Sequence, residues 1–161
     1  MDAIELLELQ HREVEDLFEE CGALVGEPDQ ERRQTLFEKL ADTIAGHTTI
    51  EEQLFYPAVQ SMNKNLVRQG LEDHLAIKRV LVELLGIETD DAAFSAKLEV
   101  LRVLVEHHVA EEEGKLFPAV ERGLSMRRRN ELGDEMESMF ESMREDEPRR
   151  YIPEQIEEAR H

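Results

Sequence analysis

The sequence predicts an all-α protein: an up-down four-helix bundle followed by a C-terminal helical extension. Three observations carry that expectation. Aromatic residues make up only 5% of the 161 residues and tryptophan is absent, while Leu, Glu, Ala and Met recur throughout, a composition that suits helices. Apolar residues return at alternating intervals of three and four along four long stretches, the period of a helix that turns one face to a core. Short segments carrying Gly, Pro, Asp and Asn separate these stretches, and short connections make neighbouring helices antiparallel. The boundaries read as a bundle over residues 1–124 and a helix with a tail over 125–161.

The first helix covers residues 2–25, with Ile4, Leu7, His11, Val14, Phe18, Cys21 and Val25 on its core stripe. Gly26-Glu27-Pro28-Asp29 ends it, and Asp29 is placed to cap the next helix. The second stripe is Phe37, Leu40, Ile44, His47, Glu51, Leu54 and Ala58, and Pro57 kinks or ends that helix. After a turn at Asn63-Lys64-Asn65 comes the third stripe, Val67, Leu71, His74, Ile77, Leu81 and Leu84. Gly86-Ile87-Glu88-Thr89-Asp90 closes the third helix and caps the fourth, whose stripe is Phe94, Leu98, Leu101, Val105, His108, Glu112, Leu116 and Ala119. Ser125 can cap a fifth helix with Leu132, Met136, Met139 or Phe140, and Met143 on one face, which covers one end of the bundle or a partner subunit. Residues 146–161 read as a tail with at most one short helix.

Within this pattern one segment occurs twice. His47-Thr48-Thr49-Ile50-Glu51-Glu52-Gln53-Leu54-Phe55-Tyr56-Pro57 returns as His108-Val109-Ala110-Glu111-Glu112-Glu113-Gly114-Lys115-Leu116-Phe117-Pro118. Each copy also has a solitary histidine upstream, His11 lying 36 residues before His47 and His74 lying 34 before His108. On a helix, positions i and i+4 share a face, so each copy aims an imidazole and a carboxylate at one point. A lone His-x-x-x-Glu carries little weight among 38 acidic residues, and Glu15, which stands in that relation to His11, reads as a solvated flank. Four His and two Glu on core stripes carry more, because ionised carboxylates in a helical core cost several kcal/mol unless compensated. Counting about 1.5 Å per residue from the two loops brings all six within one or two turns of one level. His108 is preferred over its neighbour His107 because it alone repeats the ten-residue distance to the following proline. His107 is left as a surface or outer residue and His161 as a tail residue.

At these residues the chain resembles the hemerythrin-like family with the HHE cation-binding domain, over roughly residues 1–122. The resemblance implies two non-heme irons, bridged by oxo or hydroxo, held by His11, His47, Glu51, His74, His108 and Glu112. Imidazole and carboxylate suit iron, manganese and zinc alike, so the choice of iron comes from the resemblance. These ligands and the bridge would leave about two coordination positions open. The chain departs from the oxygen-carrying hemerythrins, which have a fifth histidine one turn after the third-helix ligand and end their last motif with Asp at a spacing of five. Here Lys78 follows His74 by one turn and Glu112 follows His108 by four. Lys78 is expected to point outward past its aliphatic stem. Phe55 and Leu116 are expected to wall the site, with Tyr56 one step off the ligand face.

Redox handling of a small oxidant follows from the open positions: oxygen, hydrogen peroxide or nitric oxide, with catalase-like turnover as one form. A non-catalytic iron or oxygen sensor is the alternative. A formal charge of −19 argues against nucleic acid or an anionic membrane as partner. The lone Cys21 leaves no internal disulfide and fits a reducing cytoplasm, and the chain has neither a membrane span nor a signal-peptide pattern.

Overall fold

A computed structural model describes residues 1–159, so His161 lies outside the described residues. Helix α1 (Ala3–Ala23) runs antiparallel to α2 (Gln30–Ile50), which passes through a wide π-helical turn (Glu51–Phe55) into the short α3 (Tyr56–Val59). Helix α4 (Lys64–Leu85) pairs with α5 (Phe94–Glu111), which passes through a second wide turn (Glu112–Leu116) into α6 (Phe117–Gly123). Helices α7 (Met126–Arg144) and α8 (Ile152–Glu158) complete the chain.

Local chemistry sets most boundaries. Asp2, Asp29, Asn63 and Ser125 each accept a backbone N–H of the first turn that follows, at 2.8, 3.0, 3.1 and 3.2 Å respectively, satisfying donors that a helix start leaves free. The expected cap of α5 differs. That helix starts at Phe94 after Ala93, whose N–H donates to Asp91 at 2.8 Å, so the loop runs further than the Gly86–Asp90 segment suggested. Two stripe residues also fall outside the core. Val25 is exposed because α1 stops at Ala23, and Leu71 is exposed while Gly70 beside it is buried.

The core is divided into two apolar clusters. One, near the α1–α2 and α4–α5 loops, contains Phe18, Phe37, Leu40, Leu81 and Leu101. The other contains Leu7, Ile50, Phe55, Val59, Phe117, Met136 and Phe140. Between them lie His11, His47, Glu51, His74, His108 and Glu112, all buried. The residues after 124 are packed onto the bundle. Helix α7 lies across α1 and α2, burying Leu132, Met136 and Phe140. It approaches so closely at Gly133 that a Cβ there would strike the backbone of Met1 to Ala3. Arg129 ties this crossing together, donating to Asp2 at 2.9 Å and to the Leu124 carbonyl at 2.7 Å. Arg149 is clasped by Asp42 at 2.8 Å and Glu38 at 2.9 Å, and Ile152 is buried in the first cluster.

Candidate metal centre

The two wide turns place the site. Pro57 and Pro118 lack an N–H and their rings crowd the carbonyl four residues back, so a regular α-helix cannot pass through them undisturbed. Here the helix widens instead of ending: Tyr56 and Phe117 donate their N–H to the carbonyls of Glu51 and Glu112, five residues back. Such one-residue expansions recur at functional sites. The residue five after each glutamate thereby turns toward the centre. Tyr56, expected one step off the ligand face, is in the site: its hydroxyl donates to Glu112 Oε2 at 2.7 Å and lies 3.4 Å from Nε2 of both His74 and His108. Phe117 holds the equivalent place in the second copy, stacked parallel to the His11 ring.

All six expected residues converge. Glu51 Oε1 is 3.0 Å from His47 Nε2, 3.1 Å from His74 Nε2 and 3.6 Å from His108 Nε2. Glu112 Oε1 is 3.2 Å from His11 Nε2 and 3.4 Å from His108 Nε2. The donor atoms sort into two triads able to hold a cation, His11, His47 and Glu112 in one and Glu51, His74 and His108 in the other. Each triad mixes residues from both sequence copies. His11 Nε2, His47 Nε2, Glu51 Oε2 and Glu112 Oε1 are buried without a hydrogen-bond partner, an expense that proteins rarely tolerate at one place. Two cations would satisfy them, so the residues present fit a dinuclear metal centre.

Around this inner set lies a second ring that orients it. Every inward histidine donates through Nδ1: His11 to Glu113 at 2.7 Å, His47 to Gln10 at 2.7 Å, His74 to Glu52 at 2.7 Å and His108 to Asp73 at 3.2 Å. With Nδ1 so engaged, a neutral ring keeps its Nε2 lone pair for the centre. The glutamate that follows the inward glutamate in each copy, Glu52 or Glu113, serves the solitary histidine of the other copy, and the residue before each solitary histidine serves the motif histidine that follows it. Sequence reasoning passed over Gln10, Glu52, Asp73 and Glu113, although the Glu-Glu pair in both copies was a readable signal. Lys78 corrects an expectation. It is buried, and its ammonium donates to both oxygens of Glu52 at 3.0 and 2.8 Å. An acceptor on the neighbouring Glu51–Phe55 turn draws the side chain in rather than out.

Without metal, the site balances its charge with protons. Burial alone would lower the His11 imidazole, but Glu112 and Glu113 outweigh it and raise the group to about 9. Burial is likewise outweighed at His108, chiefly by Glu112 and Asp73, and at His74 by Glu51 and Glu52, so both imidazoles are raised. At His47 burial wins and the imidazole is lowered. Burial would raise the Glu51 carboxyl, yet His47, Glu112 and His108 hold it well below the ordinary value. Tyr56 is pushed well above the usual phenol range by burial and then by Glu51 and Glu112, so its proton stays on. Cys21 lies outside the centre, and burial pushes its thiol up to about 12, out of the range of a reactive thiolate.

This arrangement defines a helical cation-binding domain. Residues 2–120 match the model of the hemerythrin HHE cation binding domain, and the chain belongs to that family. It is 28% identical over 147 residues to the uncharacterized protein Rv2633c of Mycobacterium tuberculosis, covering 89% of this chain and 88% of that one. It is also 29% identical over 126 residues to a DNA nickase of Nostoc sp., covering 78% of this chain. The chain spans only 35% of the nickase's length. Among solved structures, it resembles a hemerythrin HHE cation binding domain-containing protein, the Rv2633c homolog from Mycobacterium kansasii. That likeness has a TM-score of 0.79 at 25% identity and covers 91% of this chain and 89% of the other. It extends past the residues matched by the family model, in keeping with a C-terminal extension that packs onto the bundle.

Proposed function

We propose that this chain is a non-heme diiron protein that binds or redox-processes a small oxidant: oxygen, hydrogen peroxide or nitric oxide. The observation that carries the reading is the convergence of four imidazole Nε2 atoms and two carboxylates, several of them without any other partner. His11, His47 and Glu112 would hold one iron and Glu51, His74 and His108 the other. Bound iron would supply Lewis acidity and a change of oxidation state. The chain's own residues do the rest. The histidines are held by their Nδ1 partners, while the apolar clusters on both sides exclude water. Tyr56 keeps a proton on an oxygen that reaches Glu112.

Lys78 favours turnover over simple carriage. At the position one turn beyond His74 the chain offers an ammonium already bound to Glu52, which cannot ligate a metal, so the protein leaves room for an exogenous ligand. Iron-loaded protein should therefore consume hydrogen peroxide catalytically. Stable oxygen binding and release over many cycles with no peroxide consumption would return the chain to the carrier class.

One observation favours the sensor alternative. Phe140 of α7 lies against Gly46, next to His47, where a Cβ would come within 2.8 Å of the ring, so changes at the ligand-bearing helix would be felt by α7. Metal-dependent protection of residues 126–144 from hydrogen exchange, without peroxide turnover, would select it. Both readings take the protein as cytoplasmic. No helix among the described residues is long and apolar enough to cross a membrane, and the charge of −19 disfavours nucleic acid as partner.

A further inference from the structure

The two sides of the site differ in how they meet solvent. On the Tyr56 side, the gap bounded by Gly70, Asp73, His108 and Glu112 holds only about 10 Å³, room for about one water. On the His11 side, a cleft of about 310 Å³ opens between α1 and α5, and His11, whose side chain is 2% exposed, is among its lining residues. The remaining wall combines the apolar Val14, Phe18, Val105, Val109 and Ala110 with the charged Glu15, Arg102 and Glu106. Its mouth carries Arg12, whose guanidinium meets Glu113 at 2.6 Å, and Glu113 in turn holds His11 Nδ1 at 2.7 Å. Resting on the diiron reading, we propose that this α1/α5 cleft is the route by which a small neutral ligand reaches the centre, arriving beside His11.

The chemistry of the cleft suits that cargo. A strongly acidic surface offers little to an anion, whereas the stretch of the cleft lined by Val14, Phe18, Val105 and Val109 admits oxygen, nitric oxide or peroxide without demanding a charge partner. The His11 and Phe117 rings lie parallel, with centroids 5.9 Å apart, so the imidazole at the inner end is held in place. The Arg12–Glu113 pair spans the mouth from α1 to the turn after α5. Its Arg12 side chain is 54% exposed, so the pair is free to open at little cost.

The test is to plug the cleft from its rim. Ala110→Trp adds bulk at an exposed wall position, and Gln69→Trp does the same at the closed Tyr56 side. Neither residue holds the metal. In iron(II)-loaded protein kept free of oxygen, nitric oxide binding followed by stopped-flow absorption should slow about tenfold or more in Ala110→Trp, with dissociation slowed equally and Kd unchanged, because a blocked route alters rates and not equilibria. Gln69→Trp should bind at the wild-type rate. Unchanged rates in Ala110→Trp, or slowing confined to Gln69→Trp, would overturn the route. A second readout needs no metal: under xenon pressure, the methyl signals of Val14, Val105 and Val109 should shift in wild-type protein and not in Ala110→Trp. Absence of that shift in wild type would also overturn it. Failure to load iron at all would instead overturn the diiron reading, leaving the xenon result to decide whether the passage exists.

Discussion

Replacing Glu52 by Gln removes one charge from a chain of three side chains that ends at the centre. Glu52 accepts His74 Nδ1–H at 2.7 Å and receives the Lys78 ammonium through both oxygens. The Lys78 side chain is 4% exposed and that of Glu52 is 27% exposed. Stripping one partner from a fully buried pair costs about 3 to 5 kcal/mol. Solvent at Glu52 screens part of that, which brings the expected loss in Glu52→Gln to about 2 to 3 kcal/mol. Lys78→Met should cost less, about 1 kcal/mol, because Glu52 keeps His74 and its contact with water. The double variant should be more stable than the two losses summed by about 1 kcal/mol or more, since the stranded ammonium is then gone. Urea unfolding of the metal-free proteins measures all four corners of this cycle. Metal affinity should fall about 10- to 100-fold in Glu52→Gln, as it does when the group behind a ligand histidine is lost. Stability within about 0.5 kcal/mol of wild type together with unchanged metal affinity would refute the reasoning.

Three further outcomes follow from particular contacts. His11 in the metal-free protein is raised from 6.5 to about 9, so its pairing contributes stability that is full below 6.5 and lost as pH rises through 9. Metal needs the deprotonated ring, so affinity should move the opposite way, rising about tenfold per pH unit over that window for this one proton; titration of metal into protein at several pH values checks both signs. A Cβ on Gly70 would meet the Tyr56 hydroxyl at 2.6 Å, so Gly70→Ala should cost about 1 to 2 kcal/mol by pushing Tyr56 off Glu112, and should cost less in a Tyr56→Phe background. Gly133→Ala should cost about 2 to 3 kcal/mol or displace α7, because the obstacle is the rigid backbone of Met1 to Ala3 rather than a flexible side chain; thermal unfolding and protease sensitivity after residue 124 report it.

How much was legible depended on whether a residue's place follows from helical period alone. The six inward residues did, because intervals of three and four place His11, His47, Glu51, His74, His108 and Glu112 on core stripes, and antiparallel pairing brings them level. Tyr56 did not. Its position depends on an expansion of the helix by one residue before Pro57, and a proline announces a disturbance without saying whether the helix ends, kinks or widens. Lys78 was misread because its direction depends on Glu52, a residue of another helix that period analysis treats as a flank. The same applies to Gln10, Asp73 and Glu113, which matter for what lies across the helix interface. Ser125 and the Leu132, Met136 and Phe140 face were readable as an amphipathic helix, but its docking across α1 rests on the absence of a side chain at Gly133, which no periodicity reveals.

The measurement that bears most directly on the central claim is the metal content of protein purified from iron-fed cells, determined by elemental analysis for the wild type and for His108→Ala and His107→Ala. A centre built from the two triads should hold about two irons per chain in the wild type and in His107→Ala, and clearly fewer in His108→Ala, whose Nε2 lies between Glu51 and Glu112. Two irons retained in His108→Ala with loss in His107→Ala, or a wild-type protein that takes up no metal, would contradict it.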